Sequence, residues 1–148
     1  MNRRNFMKKI LILLIFLLYS TSIFAEPLNV TIEISEVLPN QGKIIMAIFN
    51  SKKGYKKNIP YKELKIESTS DTLFVNETLP SGEYVISMFQ DKNGNGKLDT
   101  YIFNIPKEPI GLTNYFKKGI PGPYKKLKVE INEYNTVIKI KMIHFGGK

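Results

Sequence analysis

Asp91, Asn93, Asn95 and Asp99 carry side-chain oxygens at alternate positions of the run Gln90-Asp91-Lys92-Asn93-Gly94-Asn95-Gly96-Lys97-Leu98-Asp99. A tightly wound loop turns every second side chain toward one centre, and calcium takes six to eight oxygens. Against the pattern D-x-[DN]-x-[DN]-G-x5-E, Asp91, Asn93 and Asn95 hold the first, third and fifth ligand positions. Gly96 stands where the turn needs positive φ, the Lys97 carbonyl would supply the seventh ligand, and Asp99 holds the ninth position. Leu98 is placed to pin the loop to a core. The twelfth position, where a bidentate glutamate belongs, is Ile102. Glu108 completes the shell only if the chain folds back. Lys92 and Lys97 weaken such a site, so the expected affinity is on the order of 0.1 to 1 mM. The same residues also suit a metal-free connection, because Asn-Gly pairs form turns and Asx side chains bond to their own backbone.

Other chemistry is scarce. Cysteine is absent and His144 is the only histidine, so a zinc site built on several histidines is excluded. A Ser–His–Asp arrangement would depend on His144 alone, which reads as an ordinary edge residue. There is no phosphate loop or nucleotide fingerprint. A carboxylate hydrolase would have to use Asp91, Asp99 and Glu108, the acids already assigned to an ion. Catalytic residues are therefore expected to be none. Tyr101, Phe103, Tyr115, Phe116 and Tyr124 flank or follow the loop, as packing residues or as the floor of a sugar- or peptide-binding surface.

The elements that must position this loop read as strands. Leu28, Val30, Ile32 and Ile34 alternate with polar residues, and Ile44 to Phe49 is an apolar run suited to a central strand covered on both faces. Leu64 and Ile66 alternate with charges, Leu73-Phe74-Val75 is short, and Leu79-Pro80-Ser81-Gly82 turns into a strand over Glu83 to Phe89. Leu127, Val129 and Ile131, then Ile138, Ile140 and Met142, alternate with Lys and Glu. About seven strands with turns between them, and no amphipathic helix, predict an all-β sandwich. The strand before Asp91 excludes a helix–loop–helix EF-hand. Asn104 to Tyr124 is the longest irregular stretch and is expected to share one end of the sandwich with the acidic loop.

Residues 1–25 open with Arg3, Arg4, Lys8 and Lys9, continue with the apolar run Ile10 to Leu18, and close on Ser20-Thr21-Ser22-Ile23-Phe24-Ala25. Basic start, short apolar centre and small-residue end predict a secretory signal peptide cut after Ala25. The apolar run is too short for a transmembrane helix, and no cysteine follows for a lipid anchor. Residues 26–148 are then a single β-sandwich domain without disulfides, expected as a monomer in the periplasm or secreted. Removing four cations leaves 18 lysines against 13 acids, a net +5 with no arginine. Nucleic-acid readers lean on arginine forks, so that function is not expected. Scattered lysines keep sheet edges soluble.

Asp91 to Asp99, then Ile105-Pro106-Lys107-Glu108, Gly111 and Asn114, with Leu79-Pro80-Ser81-Gly82-Glu83-Tyr84 ahead of them, resemble a small exported bacterial family. It is catalogued as domain of unknown function two-one-four-one. The resemblance covers essentially all of residues 26–148. It implies an immunoglobulin-like or prealbumin-like sandwich in the envelope or beyond, and no activity. Two positions depart from it: Gln90 stands where histidine often precedes the first aspartate, and Asn104 where glycine often precedes Ile-Pro. If that histidine is a ligand or proton relay in other members, this chain has lost it. The expectation is an exported, non-catalytic module with a calcium-type loop at Asp91, Asn93, Asn95, Lys97, Asp99 and Glu108, acting on an unknown envelope or extracellular partner. Its rivals are a hydrolase using the acidic loop and a lysine-driven binder of anionic lipid or glycan.

Overall fold

The computed structural model describes residues 26–145. The expected export segment, residues 1–25, lies outside them. Eight strands form two sheets: β1 (Leu28–Ser35), β2 (Lys43–Phe49), β3 (Lys62–Glu67), β4 (Leu73–Leu79), β5 (Gly82–Asp91), β6 (Ile110–Leu112), β7 (Val129–Ile131) and β8 (Val137–Lys141). One sheet has the order β4-β1-β8, with β1 and β8 parallel. The other runs β3-β2-β5-β6, and β7 also pairs with β5. The chain is therefore an all-β sandwich.

Period-two patterning explains the packing. Val30, Ile32 and Ile34 of β1 face Ile44, Met46 and Ile48 of β2 and Tyr84, Ile86 and Met88 of β5 in one core, joined by Ile138 and Ile140 of β8. These β-branched and long apolar side chains suit a pleated, buried face. The opposite face of β5 starts a second, smaller core in which Val85 packs with Ile110, Leu112, Tyr115, Tyr124 and Leu127.

Two short helices cover that second core, where the sequence pattern indicates none. The first, α1 (Lys52–Lys57), is capped by Ser51, whose side chain accepts the Gly54 N–H. The second, α2 (Tyr124–Leu127), takes Leu127 out of the expected strand and buries it with Tyr124. Four and six residues are too few for a helical period to show. The rings of Phe49 and Tyr55 meet edge-on at 5.4 Å, and Tyr55 lies 6.0 Å from Tyr124. The apolar β2 run is covered on both faces only at its Ala47–Phe49 end, since Ile45 stays half-exposed.

The segment Asn104 to Tyr124 is divided by β6, which pairs antiparallel with β5 from Phe89–Ile110 to Ser87–Leu112. Residues up to Pro109 stay at the Asp91 end of β5. Those after Leu112 run to the other end, where Tyr124 donates its hydroxyl to the Glu83 carbonyl at 3.1 Å. The expectation that this whole stretch shares one end with the acidic loop is thus corrected. A three-residue strand made of Ile-Gly-Leu carries too little periodicity to be seen in advance.

Gly111 is where β6 presses on the main core: a Cβ there would lie 2.9 Å from both Ile140 Cγ2 and Met142 Sδ. Gly111→Ala should cost about 1 to 3 kcal/mol by overpacking. Urea unfolding checks this, with a lower midpoint at unchanged slope as the expected outcome.

Candidate functional site

β5 ends on Asp91, and the loop that leaves it closes on itself through carboxylates and amides. Asp91 is buried; its Oδ1 accepts the Asn95 N–H at 3.1 Å and its Oδ2 the Gly96 N–H at 2.8 Å. Asn93 Oδ1 accepts the Asn95 N–H at 3.1 Å, and Asn95 Oδ1 accepts the Lys97 N–H at 2.8 Å. These are Asx turns, which wind the loop so that alternate side chains turn inward. Gly96 has φ +75°, as the pattern requires. Asp99 Oδ2 accepts from Asn93 Nδ2 at 2.6 Å and from Asn95 Nδ2 at 3.1 Å.

Glu108 folds back onto this loop, as the ligand reading required. It is buried, and its two oxygens tie the loop ends together: Oε1 accepts the Lys92 N–H at 2.9 Å and Oε2 the Asp99 N–H at 3.1 Å. The Lys107 N–H donates to the Asp99 carbonyl at 2.9 Å, so the outgoing and returning chains are paired here. From the other side Gly42, at φ +79°, approaches so closely that a Cβ would sit 1.9 Å from the Asp91 carbonyl oxygen. Only glycine fits there.

The structure therefore brings Asp91, Asn93, Asn95, Asp99 and Glu108 into one hydrogen-bonded unit, with Lys97 contributing its N–H. Every side-chain group in it is neutral or anionic. Lys92, Lys97 and Lys107 belong to the same segment, yet no ion pair among the described residues uses the three carboxylates. As the side chains stand, no three acidic or histidine groups among the described residues converge closely enough to hold a metal. Two asparagine N–H groups, rather than oxygens, face Asp99. Leu98 does not pin the loop to a core as expected; it is exposed.

Residues 32–139 match the family described as uncharacterized protein conserved in bacteria (DUF2141). The chain belongs to that family. No curated protein and no solved structure matches it. The family match spans β1 to β8 and contains the whole loop with Glu108.

Both departures from the family signature find a physical account. Gln90 is fully buried and faces away from the loop. Its Oε1 accepts the Leu38 N–H at 3.0 Å, and its Nε2 donates to the carbonyls of Leu38 at 2.6 Å and Gln41 at 2.9 Å. Position 90 of β5 thus addresses the 38–41 turn rather than the loop. Sequence reasoning missed this strap, although the even positions 84, 86 and 88 already mark the core face that Gln90 continues. Asn104 has φ +56°, the left-handed region that asparagine tolerates best after glycine.

Beyond the loop, Tyr101, Ile102, Phe103 and Ile105 are exposed at its tip, while Tyr115 and Tyr124 are buried. Lys107 Nζ lies 5.2 Å from the Tyr101 ring centre. Beside the loop a polar cavity of about 520 Å³ is lined by Glu36, Asp71, Lys92, Lys107 and His144, among others. His144 is half-buried there, with Nε2 2.8 Å from the Glu36 carbonyl oxygen.

Glu108→Ala leaves two backbone N–H groups without their carboxylate and should destabilise the fold by about 2 kcal/mol. Faster amide exchange at Lys92 and Asp99 than elsewhere in the sheet is the expected local signature. Unchanged exchange at both would refute the tie.

Proposed function

We propose that this chain is an exported, non-catalytic β-sandwich module whose Asp91–Asp99 loop, together with Glu108, takes up calcium. Ion uptake would stiffen residues 92–109 for contact with an envelope or extracellular partner. The observation that carries this reading is the state of Asp99: its carboxylate is held by two asparagine amides inside a loop with two further carboxylates and no paired cation.

The donor set suits a hard cation, since it is made of carboxylate and amide oxygens. Asp91 and Glu108 each bind backbone N–H groups, and each of their oxygens keeps a second lone pair. Asn93 and Asn95 present nitrogen to Asp99; rotation of each amide about its last torsion exchanges nitrogen for oxygen, and that torsion is soft. Without a cation the exchange sets oxygens against a carboxylate. With one it is favoured, at the cost of the bonds that Asn93 Oδ1 and Asn95 Oδ1 accept from the Asn95 and Lys97 N–H groups. The loop would thus alternate between an internally bonded form and an ion-loaded form built from the same residues. Export is supported by the signal-type pattern of residues 1–25.

Binding at about ten to a hundred times the dissociation constant adds about 1.4 to 2.7 kcal/mol of stability. In 10 mM calcium the melting midpoint should then exceed that in chelator by about 5 to 10 °C for a chain of this size. Asp99→Asn, which disturbs no backbone bond, should abolish the difference while the protein stays folded; Asp91→Ala should abolish it too. Equal midpoints of the parent protein in calcium and in chelator sink the reading.

A further inference from the structure

At the end of β5 opposite the acidic loop, residues 113–128 contain no aspartate or glutamate and five lysines: Lys117, Lys118, Lys125, Lys126 and Lys128. Lys128 pairs with Glu83; the other four are exposed and join no ion pair among the described residues. Between them stand two of the most exposed large apolar side chains in the described structure, Phe116 at 70% and Ile120 at 96%. Water-facing apolar groups of this size within a collar of one charge sign call for an explanation.

The segment is held in shape from beneath. Tyr115 is buried in the second core and its hydroxyl donates to the Gly119 carbonyl at 2.6 Å. That bond closes the turn and forces Phe116, Lys117 and Lys118 outward. Burial raises the Tyr115 phenol above its ordinary pKa, so it remains a donor. Asn114 fastens the same segment through its Nδ2 to the Lys128 carbonyl at 2.8 Å. On the outside, Phe116, Lys117, Ile120 and Lys126 border a groove of about 360 Å³.

We propose that residues 115–126 dock on an anionic lipid bilayer, with Phe116 and Ile120 entering the interfacial region and the four lysines lying against the headgroups. Charge complementarity selects this occupant. Lysine ammonium groups gain near a negative lipid surface, and apolar side chains gain on leaving water for the acyl boundary. A protein partner that buried Phe116 and Ile120 would also have to desolvate the surrounding lysines, whereas a bilayer leaves them at its polar surface. The other exposed tip, Tyr101 to Ile105, does not fit, because it projects from the loop that carries Asp91, Asp99 and Glu108. The proposed contact is peripheral: side chains of a loop enter the interface, and no helix among the described residues is long and apolar enough to cross a membrane. The proposal stands on residues separate from the calcium loop.

Co-sedimentation of the purified protein with vesicles of phosphatidylglycerol and phosphatidylcholine tests this against phosphatidylcholine alone. Binding should need the anionic lipid and weaken with added salt. Phe116→Ser and Ile120→Ser should each lower partitioning by about tenfold, Lys117→Gln and Lys118→Gln by about fivefold each. Phe103→Ser at the opposite end should leave it unchanged. The chain lacks tryptophan, so Phe116→Trp provides a lone reporter whose emission should shift to the blue with vesicles. No binding to the anionic vesicles overturns the proposal. So does binding indifferent to Phe116→Ser and Ile120→Ser, loss in Phe103→Ser instead, or an unshifted reporter.

Discussion

Both edges of β5 are hydrogen-bonded, to β2 along one and to β6 and β7 in succession along the other. Its alternate side chains feed two cores, so neither face is free. A strand fixed on all four sides sets the position of whatever leaves its ends. From one end comes the carboxylate-rich loop after Asp91, and beside the other lies the lysine-rich segment packed on Tyr115, Tyr124 and Leu127. Ten residues of strand set these regions about 30 Å apart.

The two signs of charge are used differently. Lysines on the sheets face acids across neighbouring strands, as in Lys43 with Glu67 and Lys139 with Glu33, which sit opposite one another in register. Lys43 is held above its ordinary pKa, mainly by its hydrogen bond to Glu67. Such exposed pairs add little stability. Asp91 and Glu108 instead spend their charge on backbone N–H groups, where a buried carboxylate substitutes for missing strand partners. That choice closes the loop on its own backbone and leaves carboxylates inside it. A lysine inserted among these groups would neutralise the loop but would have to abandon water.

The second core explains why a strand-dominated chain carries helices at all. The outer face of β5 is apolar at Val85 and must be covered, and the described residues form no third sheet to do so. Short helices α1 and α2 bring Tyr55, Tyr124 and Leu127 over it, with Phe49 between. The same packing supports the segment that exposes Phe116 and Ile120. Tyr115, buried beside Phe116, fixes the backbone there through its hydroxyl bond to the Gly119 carbonyl.

Much of the architecture was legible along the chain. Alternation in Leu28–Ile34 and Ile138–Met142 named those strands and their buried sides, because a side-chain period of two is a local property. The spacing of Asp91, Asn93, Asn95 and Asp99, with Gly96, likewise encoded an inward-turning loop, since Asx turns form between residues two apart. What the chain order could not contain was contact between distant residues. Glu108 reaches the loop only because β6 pairs back onto β5, and Gln90 is a strap only because the 38–41 turn lies against it. The separation of the acidic loop from Phe116 follows from β6 as well, a strand too short to announce itself. Local geometry is written in neighbouring residues; the meeting of two segments depends on free energies summed over the whole fold.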